Sequence, residues 1–80
     1  MRAAELQELL RKRHNIDNRW LPGTKGLIRF ERDDVSLDAP THNGDGVMFS
    51  PLVIKRILDK FRLDWTSLGQ SRLIARTQGQ

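Results

Sequence analysis

Leu27-Ile28-Arg29-Phe30-Glu31-Arg32-Asp33-Asp34-Val35-Ser36-Leu37-Asp38-Ala39 carries the pattern from which the rest of the chain can be placed. In its first half Ile28 and Phe30 alternate with Arg29 and Glu31, the period-two pattern of a strand with one buried face. Val35 to Ala39 alternates again, and only Asp33 and Asp34 separate the two runs. Aspartate bonds readily to its own backbone, so this pair reads as a turn and the stretch as a β-hairpin.

Toward the N-terminus, Ile16-Asp17-Asn18-Arg19-Trp20-Leu21 is too short and too mixed for a helix and reads as a weak first strand. Leu21-Pro22-Gly23-Thr24-Lys25-Gly26 joins it to the hairpin. Before it, Ala3, Leu6, Leu9 and Leu10 have the spacing of one helical stripe, which predicts a helix from Ala3 to about Arg13. Glu5 and Glu8 near its start and Arg11, Lys12, Arg13 and His14 at its end complement the helix dipole. Asn15 is a suitable left-handed stop.

On the C-terminal side, Pro40-Thr41-His42-Asn43-Gly44-Asp45-Gly46 is dense in turn formers and reads as a loop. Ser50-Pro51 then starts a second helix, serine capping free N–H groups and proline suiting the first helical position. Val53, Ile54, Ile57, Leu58 and Phe61 form its stripe, and the helix is expected to run to about Arg62. Asp64 precedes a short third helix from Trp65 to about Leu68. Gly69 interrupts it, and residues 70–80 form a polar, basic tail in which Leu73 and Ile74 allow a further turn or strand; its last residues are expected to be mobile.

The predicted class is therefore α+β, a small antiparallel β-sheet packed by two helices in the order α-β-β-β-α, with a short C-terminal helix. Residues 1–69 make a single domain, and placing both helices on one face of the sheet buries both stripes.

With 80 residues the chain has one modest core, and roughly 3–5 kcal/mol is what such a core supplies. Cysteine is absent, which excludes disulfides and thiolate zinc sites. His14 and His42 stand 28 residues apart without carboxylates at ligand spacing, so neither a metal nor another cofactor is expected. No apolar run approaches the roughly 20 residues of a membrane span, and acids stand where a signal peptide has its apolar core. The expected location is the cytoplasm, and the oligomeric state is open.

The net charge is +4 and the pI about 10.4, a balance that favours polyanions. Residues 1–32 carry eight Lys/Arg and four acids, residues 33–46 four acids and no base, and residues 55–76 six bases and two acids. An acidic middle is thus expected between basic ends.

No P-loop, paired-cysteine motif or Ser/His/Asp signature is present. Three features carry the functional reading. Lys25, between two glycines, is placed to meet a phosphate, its plainer reading being a solvated turn lysine. His42 sits in the second loop, and histidine is the side chain suited to deprotonating a ribose hydroxyl, though a lone loop histidine is commonly structural. Arg11, Lys12, Arg13, Arg19, Lys25, Arg29 and Arg32 are expected to form one connected basic surface with Trp20 and Thr24 among them; charge plus aromatic stacking is the usual physics of RNA contacts. Trp20 alone reads more simply as a core or rim residue.

Residues 3 to about 68 resemble the HicA family, small toxins of bacterial toxin–antitoxin pairs with a fold like that of double-stranded-RNA-binding domains (dsRBD-like). The likeness is carried by Ala3-Ala4-Glu5-Leu6-Gln7-Glu8-Leu9-Leu10, by Gly23-Thr24-Lys25-Gly26 with the strand after it, by Pro40-Thr41-His42-Asn43-Gly44, and by Ser50-Pro51 with Ile54-Lys55-Arg56-Ile57-Leu58. It implies an RNA-binding protein, in the family a metal-independent, mRNA-cleaving endoribonuclease, restrained by a HicB-like antitoxin or another protein partner. The family's catalytic histidine corresponds to Lys25, and lysine is a poor general base unless strongly desolvated. The competing expectation is a non-enzymatic inhibitor or adaptor, for example phage-encoded, that binds a host protein or nucleoprotein complex. A DNA-binding regulator is disfavoured because the short third helix offers no recognition helix.

Overall fold

A computed structural model describes residues 1–68. Helix α1 (Ala3–His14) leads into strands β1 (Asp17–Trp20), β2 (Leu27–Arg32) and β3 (Val35–Pro40), and helix α2 (Pro51–Lys60) follows. A single 3-10 turn, Trp65–Leu68, stands where the short third helix is expected. The boundary at residue 69 and the tail over 70–80, with Leu73 and Ile74, lie outside the described residues.

The sheet is antiparallel in the order β1-β2-β3. Directly opposed residues share a face of a sheet, so the register separates its two sides. Trp20, Ile28 and Ala39 form one row and Asn18, Phe30 and Leu37 the next, and this side meets both helices. Arg19, Arg29 and Asp38 face the other way, as do Asp17, Glu31 and Ser36, and that side is open. The core joins Leu6 and Leu10 of α1 and Ile54, Ile57 and Leu58 of α2 to Ile28, Phe30 and Ala39. Phe30 lies 5.9 Å from Phe49, ring centre to ring centre. Both long helices therefore lie on one face, as the two apolar stripes require.

The hairpin turns at Asp33, which takes the left-handed φ of 56°, and Arg32 pairs with Val35 across it. Asn15 also adopts φ 56° and stops α1: its N–H reaches the Arg11 carbonyl, and Ile16 N–H reaches that of Leu10. Helix α2 ends at Lys60, two residues short of the sequence expectation. Leu63 N–H closes onto the Leu58 carbonyl at 2.7 Å and Arg62 N–H onto that of Asp59, with Arg62 at φ 58°. The two ends close with different hydrogen-bond spacings, but at each one left-handed residue turns the chain so that its successor folds back onto the helix. Ile16 and Leu63 then return an apolar side chain to the core.

Strand direction gives the sheet two distinct ends. One holds the turn at Asp33 and the C-termini of both helices, since the Arg32 guanidinium donates to the carbonyls of His14 (2.9 Å) and Phe61 (3.4 Å). The other holds the loops over 21–26 and 41–46 and the helix N-termini. There Arg2 bridges Met48, Ala3 N–H donates to the Val47 carbonyl at 2.7 Å, and Phe49 N–H donates to that of Met1.

Candidate functional site

The loop end is built around a buried threonine. The Thr41 hydroxyl donates to the Gly26 carbonyl at 2.9 Å and accepts from Gly46 N–H at 2.8 Å, while Thr41 N–H donates to the same Gly26 carbonyl at 3.1 Å. Two loops distant in sequence are thus pinned by one side chain. Its hydroxyl is satisfied as both donor and acceptor, which is what allows a polar group to be buried there.

Glycines let the loops close. Gly26 has φ 69°, and a β-carbon on it would run into the Thr41 hydroxyl and stand 3.0 Å from the Gly44 carbonyl oxygen. A β-carbon on Gly44, at φ 68°, would be 3.2 Å from the Lys25 carbonyl oxygen and 3.4 Å from the Lys25 Cβ. Lys25 and the His42–Gly44 turn are therefore neighbours, and both side chains are exposed. Within the first loop Thr24 holds its own turn, its hydroxyl donating to the Leu21 carbonyl at 2.6 Å and accepting from Leu27 N–H at 3.3 Å.

Trp20 completes the group. It is 49% exposed, a rim position, and its indole edge lies 3.1 Å from where a Gly46 β-carbon would be. The ring thus rests against the backbone of the second loop with much of its surface open. Trp20, Thr24, Lys25 and His42 gather at this end, offering an aromatic surface, a cation and an imidazole on two joined loops.

The other cations of the basic surface expected from sequence lie elsewhere, so that surface does not form. Arg11, Lys12 and Arg13 belong to the last turn of α1 at the opposite end, where Lys12 pairs with Glu8 at 2.7 Å. Arg19 and Arg29 lie on the open face of the sheet. Arg29 makes a two-pronged contact with Asp38, Nε to Oδ1 at 2.7 Å and an Nη to Oδ2 at 3.2 Å. Arg32 faces the helices and ties their C-terminal carbonyls to the sheet, with its guanidinium 5.7 Å above the Phe61 ring. Its place is structural: a cation at two helix C-termini stabilises their dipoles.

The acidic patch expected over residues 33–46 is likewise dispersed. A six-residue strand spans about 20 Å, which puts Asp33 and Asp34 at one end of β3 and Asp45 beyond the other. Asp38, between them, is paired with Arg29.

Asp45 shapes the second loop. One carboxylate oxygen accepts from the N–H of Val47 at 2.7 Å and of Met48 at 3.1 Å, and these bonds to the charged form hold its carboxyl below the usual aspartate range. A depressed folded-state value means that the stabilisation is present above the unfolded value and lost as the pH falls through the folded one. The turn over residues 45–48 is therefore expected to loosen as the pH falls below about 4. Amide hydrogen exchange at Val47 and Met48 reads this locally, apart from the similarly depressed Glu8 and Asp38. The acid-dependent part should vanish in Asp45→Asn, which accepts hydrogen bonds without titrating, and its persistence there would refute the assignment.

Sequence reasoning placed the two loops but gave Thr41 no role of its own and did not foresee its bridge to Gly26. Among the described residues no group of three or more His, Asp or Glu is arranged to hold a metal ion, and no helix is long and apolar enough to cross a membrane. Comparison of the chain with protein-family models, with curated proteins and with solved structures finds no match.

Proposed function

We propose that this chain is a HicA-like RNA-binding protein that holds RNA at the loop end of its sheet, acting in the cytoplasm and under the control of a HicB-like antitoxin or another protein partner. The observation that carries the reading is the contact between Gly26 and the Thr41–Gly44 segment. It places Lys25 beside the His42 turn, with Trp20 against the same loop. A phosphate meets a lysine on a glycine-bounded turn, and an unstacked base meets an open indole face. Binding without cleavage is expected, because a lysine stands where the family that the chain resembles has its general base.

The test is anisotropy of labelled RNA with rising salt. Affinity should fall linearly on a logarithmic scale, and Lys25→Ala should weaken binding and reduce the slope by about 1, the loss of one phosphate contact. Arg29→Ala should leave binding close to wild type, since that guanidinium is paired with Asp38 on the open face. Unchanged affinity in Lys25→Ala would remove the loop end as the binding site.

A further inference from the structure

The same end of the molecule carries an apolar surface that extends beyond the indole face proposed to stack on a base. Trp20, Val47, Met48 and Leu52 are, with Val35, the exposed large hydrophobic side chains among the described residues. The first four belong to one end of the fold. Trp20 rests on Gly46, Val47 and Met48 follow it directly, and Leu52, 60% exposed, is in the first turn of α2. Val35 is apart, beside the hairpin turn.

An exposed tryptophan offers a nucleobase a stacking face, but Val47, Met48 and Leu52 offer a nucleic acid neither hydrogen bonds nor stacking. Their removal from water is rewarded by apolar contact, which points to a protein partner. Charge narrows the choice. Arg2 bridges Met48, Lys25 adjoins Gly44, and Arg56 stands one helical turn from Leu52. None of these three is in an ion pair among the described residues, whereas Lys55 is tied to Asp59 at 3.0 Å. Asp45, in the same loop, accepts from the N–H groups of Val47 and Met48. This end of the fold thus presents exposed apolar side chains together with cations that make no ion pair among the described residues, a combination in which apolar contact gives affinity and charge selects the partner. Four side chains expose a few hundred Å² at most, well short of the roughly 800 Å² that each side of a standard protein interface buries. A short segment fits such an area better than a globular face.

We infer that Trp20, Val47, Met48 and Leu52 form a docking site for an acidic amphipathic protein segment, with apolar anchors on the patch and carboxylates facing Arg2, Lys25 and Arg56. The inference stands on the patch and not on RNA binding, and it survives the loss of that reading.

The test is selection of a phage-displayed random library of roughly 12-residue peptides on the immobilised full chain. Enriched peptides are expected to combine aromatic or aliphatic residues with Asp or Glu. One of them, made synthetically, should bind on the order of tenfold more weakly to Leu52→Ser and detectably more weakly to Arg56→Gln. Because both positions are exposed, the variants should melt within a few degrees of wild type; Val47→Ser is the substitute if either does not. The site is overturned if no peptide enriches beyond its level on an unrelated protein. Basic or purely polar enriched peptides, or unchanged binding to the variants, overturn it equally. A tenfold loss of single-stranded RNA affinity in Leu52→Ser would assign the patch to RNA and overturn it as well.

Discussion

Phe30→Ala is expected to bring the chain to the edge of unfolding at 25 °C, with roughly half of it unfolded. Phe30 is fully buried at the centre of the middle strand, paired with Asn18 on one side and Leu37 on the other, and packed on Phe49. Truncating a buried phenylalanine costs about 3–5 kcal/mol, from lost transfer free energy and from the cavity left behind. A domain of this size holds roughly the same amount in reserve. No disulfide supplements it, since the chain has no cysteine. Loss of the cooperative urea transition, followed by circular dichroism, is the readout. Phe30→Leu fills much of the space and should remain folded at a cost nearer 1 kcal/mol. A cooperative transition for Phe30→Ala close to that of the parent would mean that the core is not centred on this strand.

The second large effect belongs to Gly26. A left-handed backbone costs an alanine about 1–2 kcal/mol, and here the added carbon also meets the Thr41 hydroxyl and the Gly44 carbonyl. Thr41 cannot rotate away without breaking its bonds to Gly26 and Gly46, each contributing about 1 kcal/mol. Gly26→Ala should therefore destabilise by roughly 3 kcal/mol, or separate the two loops. Gly23→Ala is the control. Gly23 has φ 77°, but nothing lies within 4 Å of the added carbon, so only the conformational cost of about 1–2 kcal/mol remains. Urea midpoints for the two variants measure the difference, and equal destabilisation would show that the closeness of the loops contributes nothing. If RNA is held where we propose, Gly26→Ala should also weaken it in a chain still folded at low temperature, because Lys25 and His42 no longer share one surface.

Much of the architecture was legible because it rests on short-range rules. Alternation at Ile28 and Phe30, the two aspartates, Asn15, and the Ser50-Pro51 start each act within a few residues, and each appears where the chain required it. Ser50 does accept from Val53 N–H at 3.3 Å. Helix α2 was read too long because its stop is an arginine. Arg62 carries no local signal for a left-handed conformation, which is adopted there because Leu63 must return to the core.

The candidate site was legible only as two loops. A sequence ranks cations by number and spacing, and on that basis it predicts one surface from seven of them. The register then divides β2 by parity, sending Arg29 to the open face and Arg32 toward the helices, and the length of α1 carries Arg11, Lys12 and Arg13 away from Lys25. Dispersal of the acids over residues 33–46 has a similar cause, an extended strand between them.

The α+β class, the element order and the apolar stripes of both helices follow from the sequence alone, because periodicity and turn chemistry are properties of neighbours along the chain, whereas Ile16 and Phe49 join the core through tertiary packing. Which loop residues meet depends on strand pairing. Fifteen positions separate Gly26 from Thr41, and the hydroxyl that joins them becomes a contact only after β2 and β3 have paired. The same closure leaves Trp20, Val47, Met48 and Leu52 exposed at one end, an apolar surface that no local pattern in the chain announces.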